Sequence, residues 1–351
     1  MDKIDILSLD LTELTESVRT LGEKDFRAKQ IYKWLHVKKA TEFSQMTDLS
    51  EALRQRLDER FFINRARVVK RLVSGIDNTV KYLFALGDGR VVEAVAMNYR
   101  HGNSLCISTQ VGCKMGCSFC ASTIAGFERN LEPSEMLSQV YYADSDCEGG
   151  ISSIVLMGIG EPLDNYDNVM KFLKILSSEN GHNMSLRHVS LSTCGLVPRI
   201  YELAEENLGL TLSISLHAPN DELRKQIMPV AKRYSLDELM AACRHYFDKT
   251  GRRISFEYSL ISGVNDTPEC AKQLRKLLGG FVCHVNLIPI NEVAERSYRA
   301  SKRKRIEEFK AILEEGRINA TVRRTLGSDI NAACGQLRRN YIDTKERTVD
   351  K

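Results

Sequence analysis

The stretch Leu105-Cys106-Ile107-Ser108-Thr109-Gln110-Val111-Gly112-Cys113-Lys114-Met115-Gly116-Cys117-Ser118-Phe119-Cys120 opens as a β-rich run and closes on three cysteines. Residues 105–109 predict a strand, so the cysteines occupy the loop that follows it. Three thiolates at CxxxCxxC spacing can converge on one metal centre. A [4Fe–4S] cluster normally takes four cysteine ligands. Cys113, Cys117 and Cys120 would leave one iron open, and a ligand carrying both an amine and a carboxylate can chelate it. S-adenosylmethionine (SAM) carries both groups, and an electron from the cluster can break its carbon–sulfur bond to give the 5′-deoxyadenosyl radical. The alternative is a zinc site completed by Cys106 or a histidine. Zinc sites are frequently built from paired CxxC elements, and the chain has no second pair.

Downstream, strands alternate with helices. Strands are predicted at Leu105–Thr109, Ser153–Met157, His188–Thr193, Thr211–Leu216, Ile254–Leu260 and His284–Pro289, with helical spacing between them, as at Pro133–Asp144 and Asp237–Lys249. This alternation calls for a parallel α/β sheet with right-handed crossovers. Six units are too few to close an eight-stranded barrel, so an incomplete (β/α)6 barrel is expected, with a doubly wound open sheet as the alternative. Gly158-Ile-Gly160-Glu161-Pro162, Ser192-Thr-Cys194-Gly, Ser215-Leu216-His217-Ala and Pro289-Ile-Asn291 all fall at strand ends, where barrel-like folds carry their sites. The glycine run does not complete a dinucleotide fingerprint, because Leu163 stands at the third glycine position. Exposed backbone followed by a carboxylate suits the ammonium group of SAM, and a plain tight turn is the alternative.

Upstream, the first 70 or so residues read as helices. In the segment Gly22 to His36, Phe26, Ile31, Trp34 and Leu35 are expected on the apolar side. Tyr82–Leu86 and Arg90–Met97 flank Gly87-Asp88-Gly89 and predict a hairpin with Glu93 in its second strand. A Glu there is ordinarily exposed.

The 351 residues are 43% hydrophobic with a formal net charge of +4, enough for a large core and permissive of an RNA partner without demanding one. No apolar run approaches membrane-span length, and the acidic N-terminus is unlike a secretory signal, so a cytoplasmic protein is expected. Ten cysteines in a reducing compartment point to metal or redox chemistry rather than structural disulfides. Cys147, Cys194, Cys243, Cys270 and Cys283 read as ordinary small core or surface residues.

The cysteine run, continuing through Gly126-Phe-Glu-Arg-Asn-Leu131, resembles the RlmN/Cfr family of radical SAM RNA methyltransferases. Gly158-Ile-Gly-Glu-Pro-Leu-Asp-Asn165, Ser215-Leu-His-Ala-Pro219 and Asp329-Ile-Asn-Ala-Ala-Cys334-Gly-Gln-Leu337 match as well, and the resemblance spans about residues 20 to 340. It implies methylation of C2 of an adenine in the peptidyl-transferase centre of 23S rRNA, and of the adenine 3′ of the tRNA anticodon. It implies Cys334 as methyl carrier, Cys106 as its resolving partner through a transient disulfide, and Glu93 as base. Gly160, Glu161, Ser192, Ser215, Leu216, His217 and Asn291 would contact SAM. In Cfr the proline of the Gly-Glu-Pro run is alanine; Pro162 here favours C2 over C8. An electron donor such as a flavodoxin or ferredoxin, and action as a monomer, are also implied.

The expected division is a helical accessory domain over 1–75, a hairpin extension over 76–102, the radical SAM core over 103–325 and a carrier segment over 326–351. Phosphate contacts are expected from Arg323, Arg324, Arg338, Arg339 and the Lys302–Arg305 run. Two rivals remain at this level: a radical SAM enzyme that uses SAM only as oxidant, and a zinc-stabilised RNA-binding protein.

Overall fold

The computed structural model describes residues 3–293 and 295–330. Cys334, Arg338 and Arg339 therefore lie outside the described residues. Ten strands form one sheet: β1 (Arg67–Val73), β2 (Val80–Ala85), β3 (Val91–Tyr99), β4 (Gly102–Cys106), β5 (Ser153–Leu156), β6 (Val189–Thr193), β7 (Thr211–Ser215), β8 (Ile254–Leu260), β9 (Cys283–Pro289) and β10 (Asn319–Val322). Their spatial order is their chain order. β4 to β10 pair in parallel, and β1 to β4 are antiparallel. A doubly wound sheet reverses strand order at a switch point. This one never does, so it is the incomplete barrel, prolonged on one side by an antiparallel ribbon.

Side-chain alternation assigns the two faces of the sheet. In β6, Val189, Leu191 and Thr193 are buried while Ser190 and Ser192 are half-buried. In β9, Cys283, Val285 and Leu287 are buried while His284, Asn286 and Ile288 are half-buried. The apolar set belongs to the main core beneath the helices, and the polar set faces the concave side. Helix Pro133–Asp146 starts with a proline and a Glu132/Glu135 capping box. Helix Leu236–Thr250 has a Ser235/Glu238 capping box and ends on Gly251 in the left-handed region.

Three N-terminal helices, Leu11–Thr20, Asp25–His36 and Glu51–Arg60, dock on the outside of the barrel. His36 Nδ1 lies 2.8 Å from the Tyr141 hydroxyl, and Lys39 pairs with Asp144 at 2.6 Å.

Four details depart from the sequence reading. The first core strand, expected at Leu105–Thr109, is Gly102–Cys106. Phe26 is 50% exposed, because the buried stripe of its helix runs through Ala28, Ile31, Tyr32, Leu35 and His36, and Phe26 lies off that 3.6-residue period. The helical region ends at Arg60, and the β-branched run Arg67–Val73 forms β1. A seventh parallel strand, β10, was not anticipated, since four residues carry too little periodicity to register.

Candidate active site

The cysteine loop is closed at its base by a two-stranded ribbon, Gln110–Gly112 against Phe127–Asn130. Gly112 has φ +78°, and a Cβ there would fall 1.7 Å from the Gly126 carbonyl oxygen, so only glycine fits. Cys113 N–H donates to Gly126 O at 3.2 Å, and Cys120 N–H to Cys117 O at 3.2 Å. The Thr123 hydroxyl donates to Cys120 O at 2.9 Å. Ser118 N–H donates to Ile227 O at 2.9 Å, which ties the loop to the element after β7.

Cys113, Cys117 and Cys120 line one cavity of about 270 Å³ at the C-terminal strand ends. Burial pushes the Cys113 thiol up to about 12 and raises Cys117 as well. A buried thiolate needs a cation beside it, and iron would be that cation. Among the described residues no three His, Cys, Asp or Glu side chains gather tightly enough for a single ion. Of the fourth zinc ligands considered, Cys106 lines the adjoining cavity, and a histidine, His217, lines this one. A cubane, by contrast, binds each thiolate at a separate iron, and three thiols around one hollow fit it.

The expected SAM residues line the same cavity, with one exception. Gly160 has φ +112°, and a Cβ there would meet Gln110 Cβ at 2.6 Å. Gln110 Oε1 accepts Glu161 N–H at 2.9 Å, so the glycine turn is fastened to the start of the cysteine ribbon. The Glu161 carboxylate accepts Cys194 N–H at 2.7 Å and Leu163 N–H at 3.1 Å. Burial raises its pKa, and those N–H groups oppose the rise. Ser192 and Ser215 hydroxyls stand 3.4 Å apart. His217 Nδ1 accepts Ser259 N–H at 3.0 Å, and burial lowers the ring to about 3, so a neutral imidazole carries its proton on Nε2. Phe119, between two of the cysteines, meets the His217 ring edge-on at 5.0 Å. Asn291 completes the set. The exception is Leu216, whose fully buried side chain belongs to the core; its carbonyl accepts Arg224 Nε at 3.1 Å.

Three lining or adjacent residues escaped the sequence reading. Cys194, taken for a bland residue, lines this cavity. Glu257, buried in β8, receives Asn286 Nδ2 at 2.7 Å and the Ser255 hydroxyl at 3.1 Å, and burial raises its pKa. A lone Glu in that strand carries no signal in the sequence to separate it from an ordinary exposed residue. Arg224 is wholly buried and donates to the carbonyls of Leu216, Cys194 and Ser215.

A second cavity of about 360 Å³ shares Ile288, Ile290, Asn291 and Arg323 with the first. Cys106, Val95, Met97 and Arg324 line it. Leu326 packs on Val95, Met97 and Cys106. Asp329 accepts the Ser74 hydroxyl at 2.7 Å and Gly75 N–H at 2.9 Å, so the chain leading towards Cys334 is anchored on the turn before β2. Glu93 is not at the surface: it is 3% exposed and pairs with Lys81. Cys334, the partner of the disulfide implied for Cys106, lies outside the described residues.

A family model described as the ribosomal RNA large subunit methyltransferase N-terminal domain matches residues 4–63, and the radical SAM superfamily model matches residues 107–277. A protein of Lachnoclostridium phytofermentans named a probable dual-specificity RNA methyltransferase RlmN is 56% identical over 342 residues, covering 97% of this chain and 96% of its own. The chain belongs to the RlmN family. A second RlmN, of Thermoanaerobacter sp. strain X514, is 57% identical over 339 residues, covering 97% of this chain and 98% of its own. A crystal structure of a radical SAM methyltransferase from Sphaerobacter thermophilus superposes with a TM-score of 0.91 at 42% identity, covering 95% of this chain and 98% of that one. RlmN membership makes this a radical SAM methyltransferase and implies SAM and a [4Fe–4S] cluster as its cofactors.

Proposed function

We propose that this chain methylates C2 of adenine in RNA: in the peptidyl-transferase centre of 23S rRNA and next to the tRNA anticodon. The carrying observation is that Cys106 lines a cavity sharing a wall with the one that holds Cys113, Cys117 and Cys120. Those three cysteines hold the cluster, and Gly160, Glu161, Ser192, Ser215, His217 and Asn291 hold SAM. Cluster and SAM together supply a radical strong enough to activate a methyl group.

The protein's own residues account for the rest. C2 of adenine is electron-poor and does not attack a sulfonium methyl. The Cys334 thiolate is a good nucleophile and takes the methyl first by displacement. After carbon–carbon bond formation the RNA is held covalently through Cys334, and the adduct's unpaired electron would return to the cluster that Cys113, Cys117 and Cys120 would hold. Glu93 removes the C2 proton. The Cys106 thiolate then attacks the Cys334 sulfur, the sulfur–carbon bond breaks, the released carbon takes a proton, and a disulfide forms. A cytoplasmic thiol pool or reductase returns it to two thiols. Arg323 and Arg324, on the second cavity, meet RNA phosphate.

Peptide mass spectrometry of the Cys334 segment after cluster reconstitution and incubation with SAM tests the carrier step. One added methyl on Cys334 is expected, and an unmodified Cys334 beside a SAM-competent cluster would overturn this mechanism. Cys334→Ala should abolish product. Cys106→Ala should accumulate a protein–RNA adduct, and clean turnover would remove Cys106 from the scheme.

A further inference from the structure

The antiparallel ribbon carries two buried charges that the scheme above uses only in half. Lys81 Nζ stands 3.1 Å from Glu93 Oε2, with side chains 0% and 3% exposed. Residues opposite one another in register share a face. Lys81 opposes Val95, and Val95 opposes Cys106, so Lys81, Val95 and Cys106 form one row across β2, β3 and β4. With strands about 4.8 Å apart, the backbones of Lys81 and Cys106 are about 10 Å apart. Glu93 lies two residues along β3 on the same face, about 7 Å from Val95. The Ser108 hydroxyl donates to its carbonyl at 2.6 Å, which sets Glu93 beyond Cys106 on the side of the cysteine loop.

A buried ion pair is weak ground for stability. Leu83 and Val91 stand beside this one on one side of that face, Val95 and Met97 on the other. Removing two charges from water costs as much as their attraction returns, and apolar replacements of such pairs are often neutral or stabilising. What a buried ammonium does achieve is to fix the position of a carboxylate.

We propose that Lys81 is the positioning residue for Glu93, holding its carboxylate to receive the proton from C2 of the captured adenine. The inference rests on the reading of Glu93 as base. In that step the C2–H bond breaks, its electron pair stays with the ring, and the proton bonds to a Glu93 oxygen. Lys81 remains an ammonium throughout, and the proton passes from Glu93 to water after the adduct resolves.

The test follows the protein–RNA adduct on denaturing gels. It uses the reconstituted full chain, SAM, a reductant and an RNA stem-loop bearing the target adenine. Glu93→Gln and Lys81→Gln should each slow adduct decay at least about tenfold while methylation of Cys334 proceeds normally. Lys81→Arg, which keeps the charge, should restore decay to within about threefold of wild type. Glu93→Gln/Lys81→Gln should decay no more slowly than Glu93→Gln alone, because the two act as a unit. Wild-type decay in Lys81→Gln beside slow decay in Glu93→Gln overturns the role of Lys81 and leaves the base in place. Wild-type decay in Glu93→Gln brings down the base assignment itself. Should Lys81→Gln fail to fold, the double variant leaves no unpaired buried charge, and a further tenfold slowing in it beyond Glu93→Gln would also refute the proposal.

Discussion

Glu161 shows how a single side chain serves fold and site together. Its two oxygens gather the N–H groups of Leu163 and Cys194, joining the loops after β5 and β6 at the cavity wall. Glu161→Ala would leave both N–H groups without their acceptor, at a cost of about 1–3 kcal/mol each. The expected outcome is a lower melting temperature together with SAM binding weakened at least about tenfold by calorimetry. At Gly160 a side chain would need both a left-handed φ of +112° and space already filled by Gln110. Gly160→Ala should lose about 1–3 kcal/mol of stability in denaturant unfolding. The cysteine triplet, Gly160 and Glu161 were legible in the sequence because spacing and strand-end position mark them. Cys194, Glu257 and Lys81 were not, since a lone Cys, Glu or Lys within a strand or at its end has the look of any other.

Among elements, the ribbon Gln110–Gly112 with Phe127–Asn130 decides whether the cysteines converge. Gly112→Ala would drive a methyl group into the Gly126 carbonyl, 1.7 Å away, and open the base of the loop. Iron and sulfide per chain should fall by more than about half while far-UV dichroism stays unchanged, since the core strands lie elsewhere. A normal iron content would mean that the ribbon does not set the loop. The strands β5 to β9 were readable from alternating and β-branched runs bounded by helices. The ribbon was not, because three or four residues of pairing leave no period to detect. A Glu in a hairpin is ordinarily exposed, and Glu93 is buried because its strand β3 lies inside the sheet, between β2 and β4.

Over the whole molecule, acid sensitivity follows from two histidines. Burial lowers His36 and His217 to about 3 in the folded chain. Unfolded, each titrates near 6.5, so the unfolded chain binds more protons below that pH. The stability each contributes is present above about 6.5 and is lost as pH falls towards 3, by up to about 5 kcal/mol each. Glu161 and Glu257 are raised by burial and act with the opposite sign, so the histidine part is isolated by difference. Unfolding free energy measured against pH from 7 to 4 should fall more steeply in wild type than in His36→Asn, the gap approaching one proton. Equal slopes would mean that His36 is protonated in the folded chain. His36 joins an N-terminal helix to barrel helix Pro133–Asp146, so this loss should loosen that contact first.

By itself the sequence determined the cysteine loop, the run of strands and helices, and the family to which the chain belongs. These depend on spacing along the chain, and spacing is local. Only the tertiary structure decided that strand order never reverses, that Cys106 belongs to a second cavity beside the first, and that Glu93 is buried against Lys81. Each of those depends on which strands become neighbours. That choice is made by the packing of the whole apolar core, and no short segment records it.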